Sequence, residues 1–285
     1  MTRKIPNTML DGESRVKRQS FSVVMPVRSE YALLRDTLRA CYRICPDEVL
    51  LCFDEPPHAA TLEEARRLIR REGWEESTRI ITVPRNLEYR CHQAWVRREG
   101  FRKAKNDRIL TVDADIVINK NVGRALSLVG ADNVGMISCL TLHSFRGLLG
   151  PWRIMAHTIA NHLCPPGLTG LYALWRPYWL DSEDDGIKEI EDPHSESAIG
   201  GMVLVGEDTY LYTCMNRKHS CMRLPVIGGR CLRDDCNDNN HVQFELGRYY
   251  FEEKVAANRV LLRSVVFARP RMISGYLYQR ILKNT

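Results

Sequence analysis

Between residues 21 and 118, short aliphatic runs alternate with amphipathic stretches four times over, and this rhythm restricts the fold more than any other feature. The runs are FSVVMPV at 21–27, EVLLCFD at 48–54, RIITV at 79–83 and RILTVDADIVI at 108–118. Each reads as a strand, and the last, with its β-branched and aliphatic flanks, as one buried on both faces. The first intervening stretch, 31–45, carries Leu34, Leu38, Cys41 and Cys45 at helical spacing. The second, 59–72, turns Leu62, Ala65, Leu68 and Ile69 inward and ends at Gly73; the third, 89–105, is a basic helix. Strands joined through helices run parallel, because a tight turn cannot return the chain in the same direction. The fold class expected is therefore α/β, a mostly parallel central sheet with helices on both faces.

The last of these runs carries two acids, Asp113 and Asp115, inside an otherwise apolar strand. Burying a lone carboxylate costs several kcal/mol, so the acids belong at the carboxyl end of the strand, where ligands bind in open α/β sheets. A two-residue period sends both to one face. Two hard oxygen donors on one face suit Mg²⁺ or Mn²⁺ shared with a diphosphate. The same short pattern equally describes a solvated Asp pair capping a turn.

A chain of 285 residues holds one large α/β domain or two small ones. The net charge of +6 suits an anionic substrate, a membrane surface or a nucleic acid without separating them. The one basic stretch that approaches a nucleic-acid stripe, RREGFRKAK at 97–105, is explained by helix solvation, so no nucleic-acid partner is expected. No apolar run approaches the roughly 18 residues of a spanning helix, and residues 1–20 form a basic arm without the apolar core of a secretory signal. A cytoplasmic location is expected. Of ten cysteines, Cys41, Cys45, Cys52, Cys91 and Cys139 sit in apolar patterns and read as buried thiols. Cys214, Cys221, Cys231 and Cys236, with His219 nearby, are open to three readings: thiols, disulfides or a zinc site.

Further strands are expected at 135–141 and 168–175, with a mixed region at 143–166 between them. Residues 181–197 carry eight acids and read as a surface loop or lid. A strand-like MVLV leads through Gly206 to Glu207 and Asp208 and a helix over 209–218. Acids in a first helical turn complement the helix dipole, and the same placement holds a carboxylate rigidly at a ligand edge. Residues 248–268 read as a helix with Tyr249, Val255, Val260, Leu261 and Val265 inward, broken by Pro270. The aromatic, aliphatic and basic residues of 272–282 suit a terminal helix completing the core, or a segment at a membrane interface.

In this order the parts resemble the family 2 inverting nucleotide-sugar glycosyltransferases of the GT-A fold, over about residues 21–223. SVVMPVRSE resembles the family's opening strand, and VRREGFRKAKNDRILTVDAD its most characteristic block, with Arg97, Gly100, Phe101, Ala104 and Asp113-Ala-Asp115 at the family's spacings. GLTGLYALWR at 167–176 resembles an acceptor-side strand ending in a basic residue, and GEDTYL at 206–211 the glutamate–aspartate motif. The resemblance implies a UDP- or GDP-linked sugar donor and Mn²⁺ or Mg²⁺ held by Asp113 and Asp115. It implies a third ligand from the C-terminal part, with His241 the candidate and Asp234 and Asp235 its rivals. It places donor contacts at Pro26, Arg28, Glu30, Asp54, Arg97 and Asp113, a general base at Asp208 and an orienting neighbour at Glu207. Residues 21–223 would form the transferase domain and 224–285 a helical extension packed on it. The acceptor would be a glycan, a protein, a small molecule or a lipid-linked group, the last with peripheral membrane contact through the C-terminal segment.

Some positions depart from the family. Arg98 stands where Asn is usual and Asn106 where Gly is usual, and the second strand ends Phe53-Asp54-Glu55-Pro56 instead of Asp-Asp-Gly/Ser. The Gln-x-x-Arg-Trp motif of processive synthases is absent, Gly247-Arg248-Tyr249 being the nearest string. A nucleotidyltransferase would carry a Gly-rich loop after the first strand, where VMPVRSE has none. A catalytically silent scaffold of the same fold would have no need of Asp113, Asp115 and Asp208.

Overall fold

The structure is a computed structural model that describes residues 19–87, 92–144, 170–182, 207–234, 256–266 and 270–284, with isolated positions in 151–155 and 244–251. The N-terminal half reads β1 (Ser22–Val27), α1 (Tyr31–Tyr42), β2 (Glu48–Asp54), α2 (Ala59–Glu72), β3 (Thr78–Val83), α3 (His92–Lys103), β4 (Arg108–Val112), β5 (Ile116–Ile118) and α4 (Val122–Leu128). There follow β6 (Val134–Ser144), β7 (Leu171–Trp175), α5 (Arg176–Asp181), α6 (Glu207–Lys218), β8 (Ser220–Asp234), α7 (Ala257–Val266) and α8 (Pro270–Asn284). The strands join one sheet in the order β3-β2-β1-β4-β7-β6-β8-β5. Pairs β3–β2, β2–β1, β1–β4 and β6–β8 are parallel, and β4–β7, β7–β6 and β8–β5 antiparallel.

Side chains alternate along the central strands into two cores. Val23, Met25 and Val27 of β1, with Leu110 and Val112 of β4, pack against Leu34 and Leu38 of α1 and Leu68 of α2. Val24 of β1 and Ile109 of β4 face the other way, against Phe101 of α3 and Leu211 and Met215 of α6. The two ends of the sheet differ in chemistry. At the amino end of the parallel strands, buried Glu48 accepts from Ser22 Oγ (2.8 Å), Arg79 Nη1 (2.7 Å) and the Lys105 backbone N–H (2.9 Å). Asn106 donates its side-chain amide to Ser22 Oγ at 3.1 Å, which accounts for an Asn at that position. That edge is closed by its own polar groups. The carboxyl edge, where β1, β2, β3 and β4 all end, is the one left for a ligand.

Helix α3 lies unusually close to the sheet. A Cβ on Gly100 would stand 2.4 Å from Val24 Cγ1 and 2.8 Å from Cys52 Sγ. Gly100→Ala is expected to push α3 outward and lower stability by about 1–3 kcal/mol, the usual cost of overpacking a close-packed core, read from urea unfolding midpoints.

Several expectations change. The run 108–118 is not one strand: β4 stops at Val112, Asp113–Asp115 form a turn closed by Ile116 N–H to Asp113 C=O (3.0 Å), and β5 pairs with β8 at the sheet's edge. A strand's two-residue period therefore does not relate the two acids. The first helix ends at Tyr42, and Cys45, expected in the core, is exposed with φ 53° beyond it. Strand β8 runs straight through the boundary expected at 223/224, so residues 224–234 belong to the sheet. In α7, Val260 and Ser264 are the buried positions while Leu261 and Val265 are exposed, and Pro270 begins α8. The mixed region 143–166, the acidic segment 181–197, MVLV at 202–205, Tyr249, Val255, Cys91 and Cys236 lie wholly or mostly outside the described residues.

Candidate active site

Asp113 is the first residue beyond β4. The alternation that turns Ile109 onto the α3 face carries on through Thr111 to Asp113. There it meets Arg97, which lies one turn before Gly100 on the sheet-facing side of α3 and is 1 % exposed. Arg97 Nη2 donates to Asp113 Oδ1 at 2.5 Å, and Arg97 Nη1 donates to Asp208 Oδ1 at 2.5 Å. One guanidinium thus joins the acid at the end of β4 to the acid in the first turn of α6, residues 95 positions apart in sequence. Its planar fork aims two donors at two carboxylates in fixed directions, which the rotatable ammonium of a lysine does not.

Gly170, immediately before β7, closes the cluster from the other side. Its carbonyl accepts from the Asp113 backbone N–H (3.0 Å), and its own N–H donates to Asp208 Oδ2 (3.2 Å). Its φ is +63°, and a Cβ there would sit 2.0 Å from Asp113 Oδ2, so only glycine leaves that oxygen room. Tyr172, two residues on and fully buried, places its ring 6.0 Å from the Arg97 guanidinium. Thr111, Tyr172 and Ser138 sit opposite one another on β4, β7 and β6, and among the described residues none of their hydroxyls has a hydrogen-bond partner.

The Asp113 carboxyl is raised to about 7, the net of burial, which pushes it up most, Arg97, which pulls it down, and Asp208 and Asp115, which push it up. Burial opposes the charge on Arg97, but Asp208, Tyr172 and Asp113 outweigh it, and the guanidinium stays protonated. Burial likewise raises the Tyr172 phenol. Asp208 and Asp115 both act on Asp113 as like charges, a repulsion that a bound cation would relieve.

The remaining expected residues fall as follows. Asp54 ends β2 on the same carboxyl edge, with His92 Nε2 of α3 3.6 Å from its Oδ1. Pro26 is buried within β1. Arg28 is exposed, and Glu30 Oε2 accepts the backbone N–H groups of Arg28 (2.7 Å) and Ser29 (2.8 Å), so that carboxylate shapes the loop after β1. The Asp115 carbonyl accepts from Leu232 N–H of β8 at 2.7 Å, which ties the acidic turn to the sheet's edge. Glu207 begins α6, and its side chain, that of Asp234, and all of Asp235 and His241 lie outside the described residues. Arg176, the basic residue that follows β7, is at the opposite edge because β7 runs antiparallel to β4; it pairs with Asp107 at 2.8 Å. His219 is engaged by Asn133 Oδ1 (2.7 Å) and Asp181 Oδ2 (3.2 Å) and stacks on Tyr178, which removes it from a zinc site with the cysteines.

The sequence reading missed Gly170 and Tyr172. Both lie inside the GLTGLYALW string, but Gly167 and Gly170 are indistinguishable there, and nothing local marks a tyrosine whose neighbour is an arginine 75 positions earlier.

Residues 22–180 match the sequence profile described as Glycosyl transferase family 2. Among solved structures, the chain is similar to the mannosyltransferase PcManGT from Pyrobaculum calidifontis, at 16% identity and a TM-score of 0.52, over 90% of this chain and 69% of that one. It is also similar to TarS (residues 1–349) of S. aureus, at 13% identity and a TM-score of 0.52, over 88% of this chain and 70% of that one. No curated protein matches it in sequence. At such identities the two structures speak for the fold alone, a GT-A arrangement. The profile covers more than half of the chain and includes Arg97, the acidic turn and Gly170. The chain belongs to glycosyl transferase family 2 and is a glycosyltransferase.

Proposed function

We propose that the protein transfers a sugar from a UDP- or GDP-linked donor to an acceptor hydroxyl or phosphate, with inversion at the anomeric carbon and with a divalent cation bound. The observation that carries this reading is the Arg97 bridge between Asp113 and Asp208, which holds an acid of the turn after β4 and an acid of α6 in one cluster. A donor whose diphosphate lies along the carboxyl edge would meet Asp54 with its nucleoside and the Asp113–Asp115 turn with its diphosphate. In the Pyrobaculum mannosyltransferase the bound species are GDP-Man and Mn²⁺.

The donor set fits a cation such as Mn²⁺ or Mg²⁺. It is all oxygen, Asp208 and Asp115 repel the charge on Asp113, and Gly170 leaves Asp113 Oδ2 uncrowded. His241, Asp234 and Asp235 stand as candidates for a further ligand. When bound, the cation neutralises charge on the departing diphosphate. Asp208, held on both oxygens by Arg97 and Gly170, accepts the acceptor's proton as the acceptor oxygen attacks the anomeric carbon and the bond to the diphosphate breaks. Glu207 would orient it. Arg97 keeps the two acids apart and in register.

The test is release of nucleoside diphosphate from a panel of UDP- and GDP-sugars with Mn²⁺, with Mg²⁺ and with EDTA. The expected result is metal-dependent release from one donor, reduced about 100-fold or more in Asp115→Ala. Equal release in EDTA, or an unaffected Asp115→Ala, would overturn the metal assignment. Absence of metal-dependent donor binding by calorimetry would overturn the donor reading.

A further inference from the structure

The last two helices carry a surface that the transfer reaction does not use. In α7, Leu261, Leu262 and Val265 are 53%, 63% and 64% exposed, while Val260 and Ser264 on the other side are buried. In α8, Leu277, Tyr278, Ile281 and Leu282 are all exposed, between 47% and 64%. Leu277 and Ile281, four residues apart, share a helical face turned away from Met272 and Gly275; Leu282 and Tyr278, whose ring lies 5.5 Å from that of Phe244 and 5.9 Å from the Arg248 guanidinium, border the packed side. The opposite side is spoken for: Gly275 lies against the backbone of Phe244, Gly247 against that of Met272, and Arg248 Nε donates to Gln279 Oε1 at 2.9 Å. The exposed stripes are therefore what remains after the helices have packed. Large apolar side chains exposed together in one short region mark an interaction surface.

The charge of the same segment is one-sided. Residues 257–285 contain Arg259, Arg263, Arg269, Arg271, Arg280 and Lys283 and no Asp or Glu. Arg271, Arg280 and Lys283 are exposed beside the apolar stripe of α8. Aliphatic and aromatic side chains rimmed by cations without acids are what a headgroup–acyl boundary with negative lipids accommodates. No helix among the described residues is long and apolar enough to cross a membrane, so the contact would be one of lying on the surface. A second copy of this chain is a poorer occupant, because pairing two such faces sets cation against cation with no acid between them.

We propose that α7 and α8 form a membrane-docking face that binds bilayers containing anionic lipid, its apolar stripe entering the interface and its cations holding the headgroups. This stands apart from the transferase reading, and the experiment keeps the two separate. The full chain is mixed with phosphatidylcholine vesicles and with vesicles containing phosphatidylglycerol, and binding is read by co-sedimentation at about 0.1 M and about 1 M salt. Three proteins are compared: wild type, Arg271→Gln/Arg280→Gln/Lys283→Gln, and Leu261→Ser/Leu277→Ser/Ile281→Ser. All substituted side chains are exposed, and circular dichroism with unfolding midpoints confirms that the variants fold. The expected result is binding to anionic vesicles that weakens with salt, falls about a hundredfold in the charge variant and is lost in the leucine–isoleucine variant. Donor binding measured in solution is expected to be equal in all three. Failure of wild type to bind anionic vesicles would overturn the proposal, as would equal binding to phosphatidylcholine alone. A wild-type dimer in light scattering that the leucine–isoleucine variant converts to monomer would also overturn it, and would assign the face to self-association.

Discussion

Gly170→Ala is expected to cut kcat/KM for donor turnover by about 100-fold or more, a loss larger than its effect on stability suggests. The added methyl would stand 2.0 Å from Asp113 Oδ2 and 2.4 Å from its Cγ, so the carboxylate has to move. Moving it breaks the geometry with Arg97 and, through Arg97, the hold on Asp208. Displacements of about 1 Å at reacting groups cost on the order of 100-fold in rate. The left-handed backbone adds a second penalty of about 1–2 kcal/mol for any residue with a Cβ. Gly73 separates the two effects. Its φ is +69°, yet a Cβ there would meet nothing within 4 Å. Gly73→Ala is therefore expected to lose stability by the backbone amount and to keep its activity. If Gly170→Ala keeps activity within about threefold of Gly73→Ala, the contact with Asp113 does not position the site.

Arg97→Leu is expected to cost about 3–5 kcal/mol of folding stability, because it strands two carboxylates that the fold has partly taken out of water. Arg97 is 1% exposed, and the Asp113 and Asp208 side chains are 29% and 15% exposed. Arg97→Lys should recover part of the stability and little of the activity, since a single ammonium cannot hold both acids in a fixed plane. The deficit should depend on pH. In the intact protein Arg97 is what pulls Asp113 down against burial, Asp208 and Asp115. Without it every remaining influence raises that carboxyl, and the folded state binds more protons than the unfolded chain. Stability of the variant then rises as pH falls from about 8 to about 5, while wild type changes less. Urea unfolding at the two pH values measures it. A pH-independent deficit would show that the cost is lost packing around the guanidinium and that the carboxylates play no part. Adding Asp208→Asn to Arg97→Leu should recover stability for the same reason.

Much of this was legible in the chain. Runs such as FSVVMPV and EVLLCFD are aliphatic on both faces, and a strand of that kind has to be sandwiched between helices, which the residues between them supply. Asp54 and Asp113 were recognisable as acids at strand ends, because an unpaired carboxylate inside such a strand would be too costly. Asp208 was recognisable at a helix start. Where the reading went wrong, it extended a local rule past its reach. A two-residue period was carried through Asp113–Asp115, where the chain had already left the sheet to let Ile116–Ile118 pair with Gly229, Arg230 and Cys231. Likewise the domain boundary was set at residue 223 because the resemblance ended there, whereas β8 runs on to Asp234.

What the sequence determined by itself was the layered α/β architecture and the chemical kind of each candidate side chain, since burial periodicity and the cost of buried charge act over a few residues. What the tertiary structure alone decided was the company those side chains keep. Arg97, Asp113, Gly170 and Asp208 meet because α3 rests on a glycine, β4 stops one residue before the acid, and β7 enters antiparallel beside it. Each condition is a contact between segments far apart in the chain, and such contacts are set by how whole elements pack rather than by any residue's neighbours in sequence.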